Sequence, residues 1–317
     1  MKIRIGYGLG TAGLRSQNTN QRAGEGVATA TAFAGFVDAL EKHGFDSLWL
    51  SERVSGAAPD PIVGLAVAAG RTQRLKLGMS VMVLPGRNPA LVAKELASLD
   101  VLSAGRLLPA FGLGVALPAE QQAFGVRRED RAPWFEEALP LVRRFWTEEQ
   151  VDHNGPRFSY QGLQVLPKPV QTPPDIWLGG IAPSELRRVG RLGDGWLPSF
   201  LSAREAAERR AAVEQAAAEA GRVIDSEHFG VLVFYVHSAV PDRLLELIRR
   251  RRPGVPADEL VADGLVSIGW QGIRDTIERF IDAGFSKFVL VPAEEMADLP
   301  DEVAEAAAEV LPLQVSR

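Results

Sequence analysis

Apolar stretches rich in Val, Leu and Ile alternate along the chain with segments whose apolar residues recur at helical spacing. The first kind predicts eight strands, at Ile3–Leu9, Asp46–Leu50, Leu75–Leu84, Leu107–Leu113, Asp175–Leu178, Gly195–Pro198, Phe229–His237 and Lys287–Val291. The second predicts helices at Ala32–His43, Pro61–Arg71, Pro89–Leu102, Ala132–Trp146, Pro183–Leu192, Ala203–Ala220, Gln271–Ala283 and Asp301–Val310. Eight alternating pairs favour an α/β fold of the (β/α)8 TIM-barrel type over an open, doubly wound sheet.

The segment from Thr72 to Gly114 shows this pattern most clearly. Its first apolar run is broken by Pro85 and Gly86, and Pro89 stands where a helix would begin, a position that needs no backbone N–H. The second strand is again apolar on both faces, as expected for a parallel strand covered by helices. The segment is therefore interpreted as one strand–helix–strand unit.

The chain, at 317 residues, fits a single barrel domain over residues 1–317. Three segments exceed ordinary loop lengths, at about 11–26, 150–174 and 249–263, and we expect insertions there at the carboxyl-terminal face of the barrel. In the second, a turn at Asn154-Gly155-Pro156 predicts a small hairpin. In the third, four consecutive arginines are interpreted as the solvated end of a helix, where cations are favourable.

Charge and composition narrow the class of ligand. A formal charge of −5 and a pI near 5.6 argue against nucleic acid or an anionic membrane as the main partner. The absence of cysteine excludes disulfides and thiolate metal sites, and no clustered His, Asp and Glu set predicts any other metal site. No segment has a continuous apolar run near the length of about 18 residues that a membrane span needs. The amino terminus does not resemble a signal peptide. We expect a cytoplasmic protein with a small-molecule substrate.

Catalytic groups of β/α barrels lie just past the strand ends, so candidates are sought there. Glu52 and Arg53 follow the second strand, where they would contact a polar ligand or form an ion pair that closes the barrel mouth. Ser80 and Val81 lie in an otherwise apolar strand after a glycine, which fits a bulge against a ligand or a plain buried strand.

Two glycine pairs follow later strands. Gly112 and Gly114 would let the backbone approach a flat ring, although a lone GxG is a weak signal. Gly179 and Gly180 precede a helix, and the free N–H groups at such a helix start form an anion site. The alternative for the second pair is a glycine-rich turn without a ligand.

The motifs LGMSVMVLPGRNPALVAKELASLDVLSAGR, FGLG, IWLGGIAPSELRRVGRLGDGW and DAGFSKFVLVP resemble the bacterial luciferase-like superfamily of flavin and deazaflavin TIM barrels. Within it, the chain is similar to the actinobacterial oxidoreductases that depend on coenzyme F420. The resemblance implies a non-prolyl cis peptide at Ser80-Val81 behind the deazaflavin ring. It also implies a cofactor phosphate at Gly179, Gly180, Ile181 and Ala182, cofactor-lining positions at Val83, Gly112 and Gly114, and a homodimer.

The chain also departs from part of that family. The F420-dependent sugar-phosphate dehydrogenases carry Asp-His where this chain has Glu52-Arg53, and a glutamate where it has Val115. Since both proton-transfer groups are absent, that substrate class is not expected. The resemblance instead implies hydride transfer between F420 and an unidentified organic substrate, with no assigned catalytic residue and Glu52 and Arg53 as candidates.

Two alternatives remain from the sequence. The first is an FMN-dependent monooxygenase of the same superfamily that uses a partner reductase. The second is a barrel that binds a ligand without catalysis.

Overall fold

The computed structural model describes residues 1–10, 23–254, 256, 259–294, 296 and 298–314. Most of the insertion predicted at 11–26 lies outside the described residues; residues 23–26 belong to the first helix.

Strands are short and alternate with longer helices. The strands are β1 (Arg4–Leu9), β2 (Ser47–Leu50), β3 (Lys76–Met79), β4 (Met82–Val83), β5 (Leu107–Leu108), β6 (Ala110–Gly112), β7 (Val151–Asn154), β8 (Ser159–Leu163), β9 (Trp177–Leu178), β10 (Gly195–Trp196), β11 (Gly230–Val236), β12 (Ser267–Ile268) and β13 (Lys287–Pro292). The helices are α1 (Ala23–His43), α2 (Pro61–Arg71), α3 (Pro89–Leu102), α4 (Pro118–Phe124), α5 (Arg131–Thr147), α6 (Pro183–Leu192), α7 (Ala203–Glu219), α8 (Asp242–Arg251), α9 (Glu259–Ala262), α10 (Gly269–Asp282) and α11 (Leu299–Val310). None of these helices is long and apolar enough to cross a membrane.

The predicted (β/α)8 barrel is confirmed. One parallel sheet has the strand order β12-β11-β13-β1-β2-β3-β5, and a second has the order β10-β9-β6-β4. Parallel bridges from Trp196 to Phe229 and from Ser199 to Leu232 join β10 to β11. The chain itself joins the sheets at the other side, since β3 continues into β4 and β5 into β6. The carboxyl ends of the strands in these two parallel sheets therefore point to one mouth.

The barrel interior is filled by large side chains facing glycines. Trp49 and Trp177 are buried there together, with their rings edge to face. A Cβ atom at Gly78 would lie 2.3 Å from the Trp49 ring, and one at Gly195 would lie 2.5 Å from the Trp177 ring. Glycine at these inward positions is what allows two indoles to fit in one layer of the barrel.

Three predicted helices match α2, α3 and α6 at both ends. Each has proline at its first turn, and the side chains of Asp60 and Asn88 accept hydrogen bonds from the first N–H groups of α2 and α3. These local signals lie within the sequence of each helix, which is why they predict its bounds. Helix α1, in contrast, begins at Ala23, nine residues before the predicted start at Ala32.

Two predicted strands are each divided in the structure. The strand expected at Leu75–Leu84 is β3 and β4, separated by Ser80 and Val81. The strand expected at Leu107–Leu113 is β5 and β6, separated by Pro109. Proline has no N–H to continue the ladder, so the second division follows from the sequence itself.

The hairpin predicted within 150–174 is confirmed as the antiparallel pair β7 and β8, but its expected position was wrong. It connects the end of α5 to the start of β9, and such connections leave from the amino-terminal face of a barrel. Glu137 on α5 accepts hydrogen bonds from the N–H groups of Arg157 and Phe158, and the Tyr160 hydroxyl donates to Asn88. These bonds hold the hairpin against the outer flank of α3 and α5.

The segment predicted as an insertion at 249–263 belongs to a longer excursion, for which the sequence analysis predicted only a helix end at the four arginines. Between β11 and α10, the chain forms α8, α9 and β12. This is a strand-to-helix connection, and it lies at the mouth of the barrel. Leu244 and Ile248 of α8 and Leu260 of α9 pack with Phe200 in a small apolar core of their own. The arginine run does end a helix, as predicted, since α8 stops at Arg251.

Candidate cofactor and substrate site

Ser80 and Val81 form the edge of the mouth between β3 and β4. Their peptide bond is cis, as the resemblance implies. The hydroxyl of Ser51 donates to the carbonyl of Ser80 at 3.0 Å, and the N–H of Glu52 donates to the carbonyl of Val81 at 3.3 Å. The residues that follow β2 thus hold the Ser80-Val81 step in place.

The side chain of Val81 faces glycines from two neighbouring strand ends. A Cβ atom at Gly112 would lie 2.5 Å from Cγ2 of Val81, and one at Gly179 would lie 3.6 Å from its Cγ1. Gly114 makes the same kind of approach to Val83, at 3.0 Å. The structure therefore brings together all five of these candidate residues from three separate strand ends, and apart from the buried Val83 they form a partly exposed surface.

The start of α6 lies beside this surface and carries an anion-binding arrangement. The backbone N–H groups of Ile181 and Ala182 both donate to Oε2 of Glu185, each at 2.9 Å. Gly180 has a φ of +105°, and a Cβ atom there would lie 2.7 Å from Cβ of Glu185. The carboxylate of Glu185 thus occupies the donors predicted for a phosphate, in an arrangement that is also a common helix cap. The residues present fit the phosphate of a flavin or deazaflavin cofactor.

The carboxylate of Glu52 is buried, and each of its two oxygens accepts a hydrogen bond. Its Oε2 accepts from the N–H of Val83 at 2.6 Å, and its Oε1 pairs with the guanidinium of Arg87. Burial raises the pKa of Glu52, and Arg87 only partly opposes that effect. The carboxylate anchors β4 to the loop after β2, and its two oxygens have protein partners.

Arg53 is placed differently, because among the described residues its guanidinium makes only a long ion pair. Nε of Arg53 is buried and has no hydrogen-bond partner among the described residues, and it lies 3.9 Å from Oε1 of Glu120. Glu120 itself accepts from the N–H groups of Val54 and Ser55 and from the Ser55 hydroxyl. Burial opposes ionisation of Glu120, but these bonds outweigh it and lower its pKa. Arg53 therefore retains unused donors beside the mouth.

Two further residues at the site were not among the sequence-predicted candidates. Glu120 stands in the first turn of α4, a helix that the sequence analysis did not predict. Arg131, at the start of α5, donates to the carbonyls of Leu113 and Gly114 at 3.2 and 2.8 Å. Together with Val83 and Val115 they line a narrow cleft at the mouth. No local pattern could have predicted Arg131, since its partners come from another strand end.

His237 follows β11, where barrel catalysts are found, but it contacts the helical layer. Its Nε2 lies 2.9 and 3.0 Å from the two oxygens of Glu302 on α11. Oε1 of Glu302 also accepts from the hydroxyl of Tyr235 at 2.7 Å. The histidine thus joins the barrel to α11. The described part of the chain contains no cluster of His, Asp and Glu suited to a metal ion.

With the barrel and its mouth defined, the chain can be compared with known proteins. The family described as luciferase-like monooxygenase matches residues 11–284. The chain belongs to the luciferase-like monooxygenase family. The superfamily resemblance carried by the SVMVLP and GG…GDGW motifs is thereby confirmed.

Several known proteins are similar to this chain over about half or most of its length. The F420-dependent glucose-6-phosphate dehydrogenase of Kineococcus radiotolerans is 33% identical over 174 residues, which cover 52% of this chain and 51% of that protein. The chain thus matches about half the length of that relative. The enzyme of the same name from Intrasporangium calvum is 29% identical over 314 residues, which cover 86% of this chain and 91% of that protein. The crystal structure of monooxygenase RslO1 from Streptomyces bottropensis superposes with a TM-score of 0.81 at 22% identity, and the match covers 99% of this chain and 100% of that chain. This similarity supports the fold.

Proposed function

We propose that this protein is an oxidoreductase that binds coenzyme F420 at the barrel mouth and exchanges a hydride with a small organic substrate. The observation that carries the proposal is that two structural features lie next to each other at the mouth. The partly exposed surface formed by Val81, Gly112 and Gly179 presents glycine backbone to a flat ring, and the α6 start next to it offers N–H donors to a phosphate. Relatives named for F420 dependence align with most of the chain.

Within this proposal, bound F420 supplies the hydride chemistry, and the protein supplies binding and orientation. Ser80 and Val81 support one ring face, while Val83, Gly112 and Gly114 border it. Gly179, Gly180, Ile181 and Ala182 hold the phosphate. Arg53 has free donors for the substrate, whereas Glu52 positions the Ser80-Val81 step through its bond to Val83.

Glucose 6-phosphate is not the substrate that this site favours, although relatives are named for it. Oxidation of a hydroxyl group requires a base that takes its proton. Glu52 is held by Arg87 and Val83, and Val115 in the cleft has no titratable group. Reduction of a simple carbonyl is the reverse of that reaction and needs the same group to return the proton. An activated double bond, which accepts hydride and takes its proton from solvent, therefore fits better than an alcohol or a simple carbonyl.

A second candidate is an FMN-dependent monooxygenase fed by a partner reductase. It is favoured by the description of the matching family as a monooxygenase. The same surface and the same α6 donors suit FMN, because both cofactors carry a tricyclic ring and a phosphate. A non-catalytic ligand-binding barrel remains the third candidate, since no side chain at the mouth is assigned a proton-transfer role.

Cofactor titration separates these candidates. Purified protein is titrated with F420 and, separately, with FMN, and binding is followed by the fluorescence of each cofactor. We expect binding of F420 that is at least about tenfold tighter, a difference of about 1.4 kcal/mol. Tight binding of FMN without a response to F420 would contradict the proposal and favour the monooxygenase.

Turnover is then measured as the oxidation of reduced F420 with a panel of enones, nitroaromatics and imines. Turnover with any of them supports the oxidoreductase. Binding of F420 with no turnover across the panel would favour the non-catalytic barrel. Sedimentation analysis of the same sample tests the homodimer that the family resemblance implies.

A further inference from the structure

The barrel end opposite the mouth contains a cavity of about 160 Å³. Its wall includes residues at strand starts: Arg4 begins β1, Lys76 begins β3 and Lys287 begins β13. Parallel strands place their starts on one face and their carboxyl ends on the other, so this cavity is separate from the proposed cofactor site. A cavity of similar volume can hold benzene, so this one has room for a ligand of about six non-hydrogen atoms. A nucleotide is too large for it.

Lys76 and Lys287 contribute two ammonium groups to the cavity wall and share one carboxylate. Nζ of Lys287 donates to Oδ2 of Asp46 at 2.8 Å, and Nζ of Lys76 donates to Oδ1 of Asp46 at 3.3 Å. Among the described residues, no other acceptor lies within hydrogen-bond distance of either Nζ. An ammonium group can donate more than one hydrogen bond. Both lysines therefore retain donors that the described residues do not use.

The other charged groups of the wall do not neutralise the two lysines. Arg4 is paired with Glu227 at 2.7 Å, and the guanidinium of Arg106 donates to a hydroxyl and to backbone carbonyls rather than to a carboxylate. Asp175 stands at the rim with 53% of its side chain exposed, and its Oδ2 lies 3.7 Å from a histidine ring nitrogen. With Asp46 included, four Lys and Arg side chains are balanced by three carboxylates. The cavity wall thus carries an excess of positive charge.

The buried part of the wall shows the same shortage of acceptors. Only 3% of the Lys287 side chain is exposed, and its Nζ lies 5.9 Å from the centre of the Trp177 ring. Burial lowers the pKa of Lys287, Asp46 opposes that effect, and the positive charge of Lys76 adds to it. Nε1 of Trp177, which also lines the cavity, is buried and has no hydrogen-bond partner among the described residues. A buried donor without an acceptor costs free energy, so a ligand that brings acceptors to this wall is favoured.

We propose that this cavity binds a small oxyanion, a carboxylate or phosphate of about six non-hydrogen atoms or fewer, through the ammonium groups of Lys76 and Lys287. Hydrogen bonds from a charged donor to such an anion are shorter and stronger than neutral ones. A cation would meet the excess positive charge of the wall and is not accommodated. The site lies opposite the mouth and does not depend on the proposed function. An anion bound there stabilises the folded chain.

The site is tested by calorimetric titration of the full-length protein at neutral pH, with inorganic phosphate and, separately, with acetate. The variants are Lys76→Met, Asp175→Asn and the control Lys42→Met, which removes one lysine from an exposed position at the end of α1. Lys76 is replaced rather than Lys287 because Asp46 then keeps its buried partner. We expect at least about tenfold weaker anion binding in Lys76→Met, about threefold tighter binding in Asp175→Asn, and no change in Lys42→Met.

The opposite signs expected for Lys76→Met and Asp175→Asn identify the cavity, since phosphate bound at the α6 start hardly responds to either variant. The anion that binds more tightly identifies the ligand as a phosphate or a carboxylate. Equal affinity in Lys76→Met and Lys42→Met would overturn the inference, as would unchanged or weaker binding in Asp175→Asn, or a wild type that binds neither anion. Thermal denaturation of each variant checks folding. If Lys76→Met does not fold, the change in affinity of Asp175→Asn alone decides between these outcomes.

Discussion

Oε2 of Glu185 lies 2.9 Å from the backbone nitrogen of Ile181, at the start of α6. The protein thus places one of its own carboxylates on the donors that the proposed cofactor phosphate requires. Both anions cannot use the same N–H groups fully, and they repel each other at hydrogen-bond distance. Binding of the cofactor phosphate at this proposed site therefore requires the Glu185 side chain to rotate away from Ile181 and Ala182.

Replacement of this carboxylate is expected to strengthen cofactor binding. In Glu185→Ala the N–H donors are free in the unbound protein, so the phosphate no longer displaces a bond worth about 0.5–1.5 kcal/mol. We expect F420 affinity to rise about threefold to tenfold in a fluorescence titration. Glu214→Ala, which removes an exposed carboxylate paired with Arg210 on α7, serves as the control. Weaker F420 binding in Glu185→Ala alone would show that Glu185 supports the bound cofactor rather than competing with it.

Gly180 is expected to be required at the α6 site for reasons of space as well as backbone conformation. Its φ of +105° disfavours any side chain, and a Cβ atom would collide with Glu185 at 2.7 Å. Gly44 also has a positive φ, +84°, but has nothing within 4 Å of a Cβ position. Gly44→Ala should cost about 1 kcal/mol of stability and leave cofactor affinity unchanged.

Gly180→Ala should cost more than Gly44→Ala in urea denaturation and should also weaken F420 binding. The comparison separates a strained backbone from a crowded site. Equal stability losses with unchanged F420 affinity in both variants would mean that the α6 start does not hold the phosphate.

How far the sequence predicted this site depends on the range of the interactions. Gly179 and Gly180 were identifiable because a helix start and its preceding glycines are adjacent in the chain. The grouping of Val81 with Gly112 and Gly179 required the barrel, which the strand–helix alternation predicted. Arg131, by contrast, lies at the site only because the start of α5 folds against the carbonyls that follow β6.

The sequence also did not predict that Glu185 occupies the N–H donors at the start of α6. A glutamate at the third position of a helix is a common cap, and its identity alone does not distinguish a permanent cap from an occupant of a ligand site. The glycine-rich turn before α6 was predicted as an anion site from backbone donors alone. The side chain that fills it became evident only from its distances.

We predict that Glu52 stabilises the fold and does not transfer a proton in the reaction. Glu52→Gln keeps an acceptor for the N–H of Val83 but removes the ion pair with Arg87. We expect a stability loss of about 1–3 kcal/mol, while the pH profile of turnover keeps its shape. Thermal denaturation and steady-state kinetics across pH measure the two effects. A variant that folds normally but loses turnover and the associated pH dependence would instead identify Glu52 as a proton-transfer group.

The interior of the barrel opposite the mouth contains an ion pair on which the fold is expected to depend. Nζ of Lys287 donates to Oδ2 of Asp46 at 2.8 Å, and only 3% of the Lys287 side chain is exposed. Asp46→Asn leaves this ammonium without its counterion, and breaking such a pair costs about 3–5 kcal/mol. The double variant Asp46→Asn with Lys287→Met removes both charges and should recover most of the loss. Asp38→Asn, at an exposed pair with Arg71, should cost at most about 1 kcal/mol.

The same pair predicts the response to acid. Burial opposes ionisation of Asp46, but Lys287 and Lys76 outweigh it and lower its pKa from 3.8 to about 2. A folded-state pKa below the unfolded value means that the stabilisation is complete above about pH 3.8 and is lost as the pH falls through about 2. The shift corresponds to about 2 kcal/mol. Urea denaturation between pH 5 and pH 2 should therefore show a steeper loss of stability in the wild type than in the double variant, and parallel profiles would mean that Asp46 is not held ionised by Lys287.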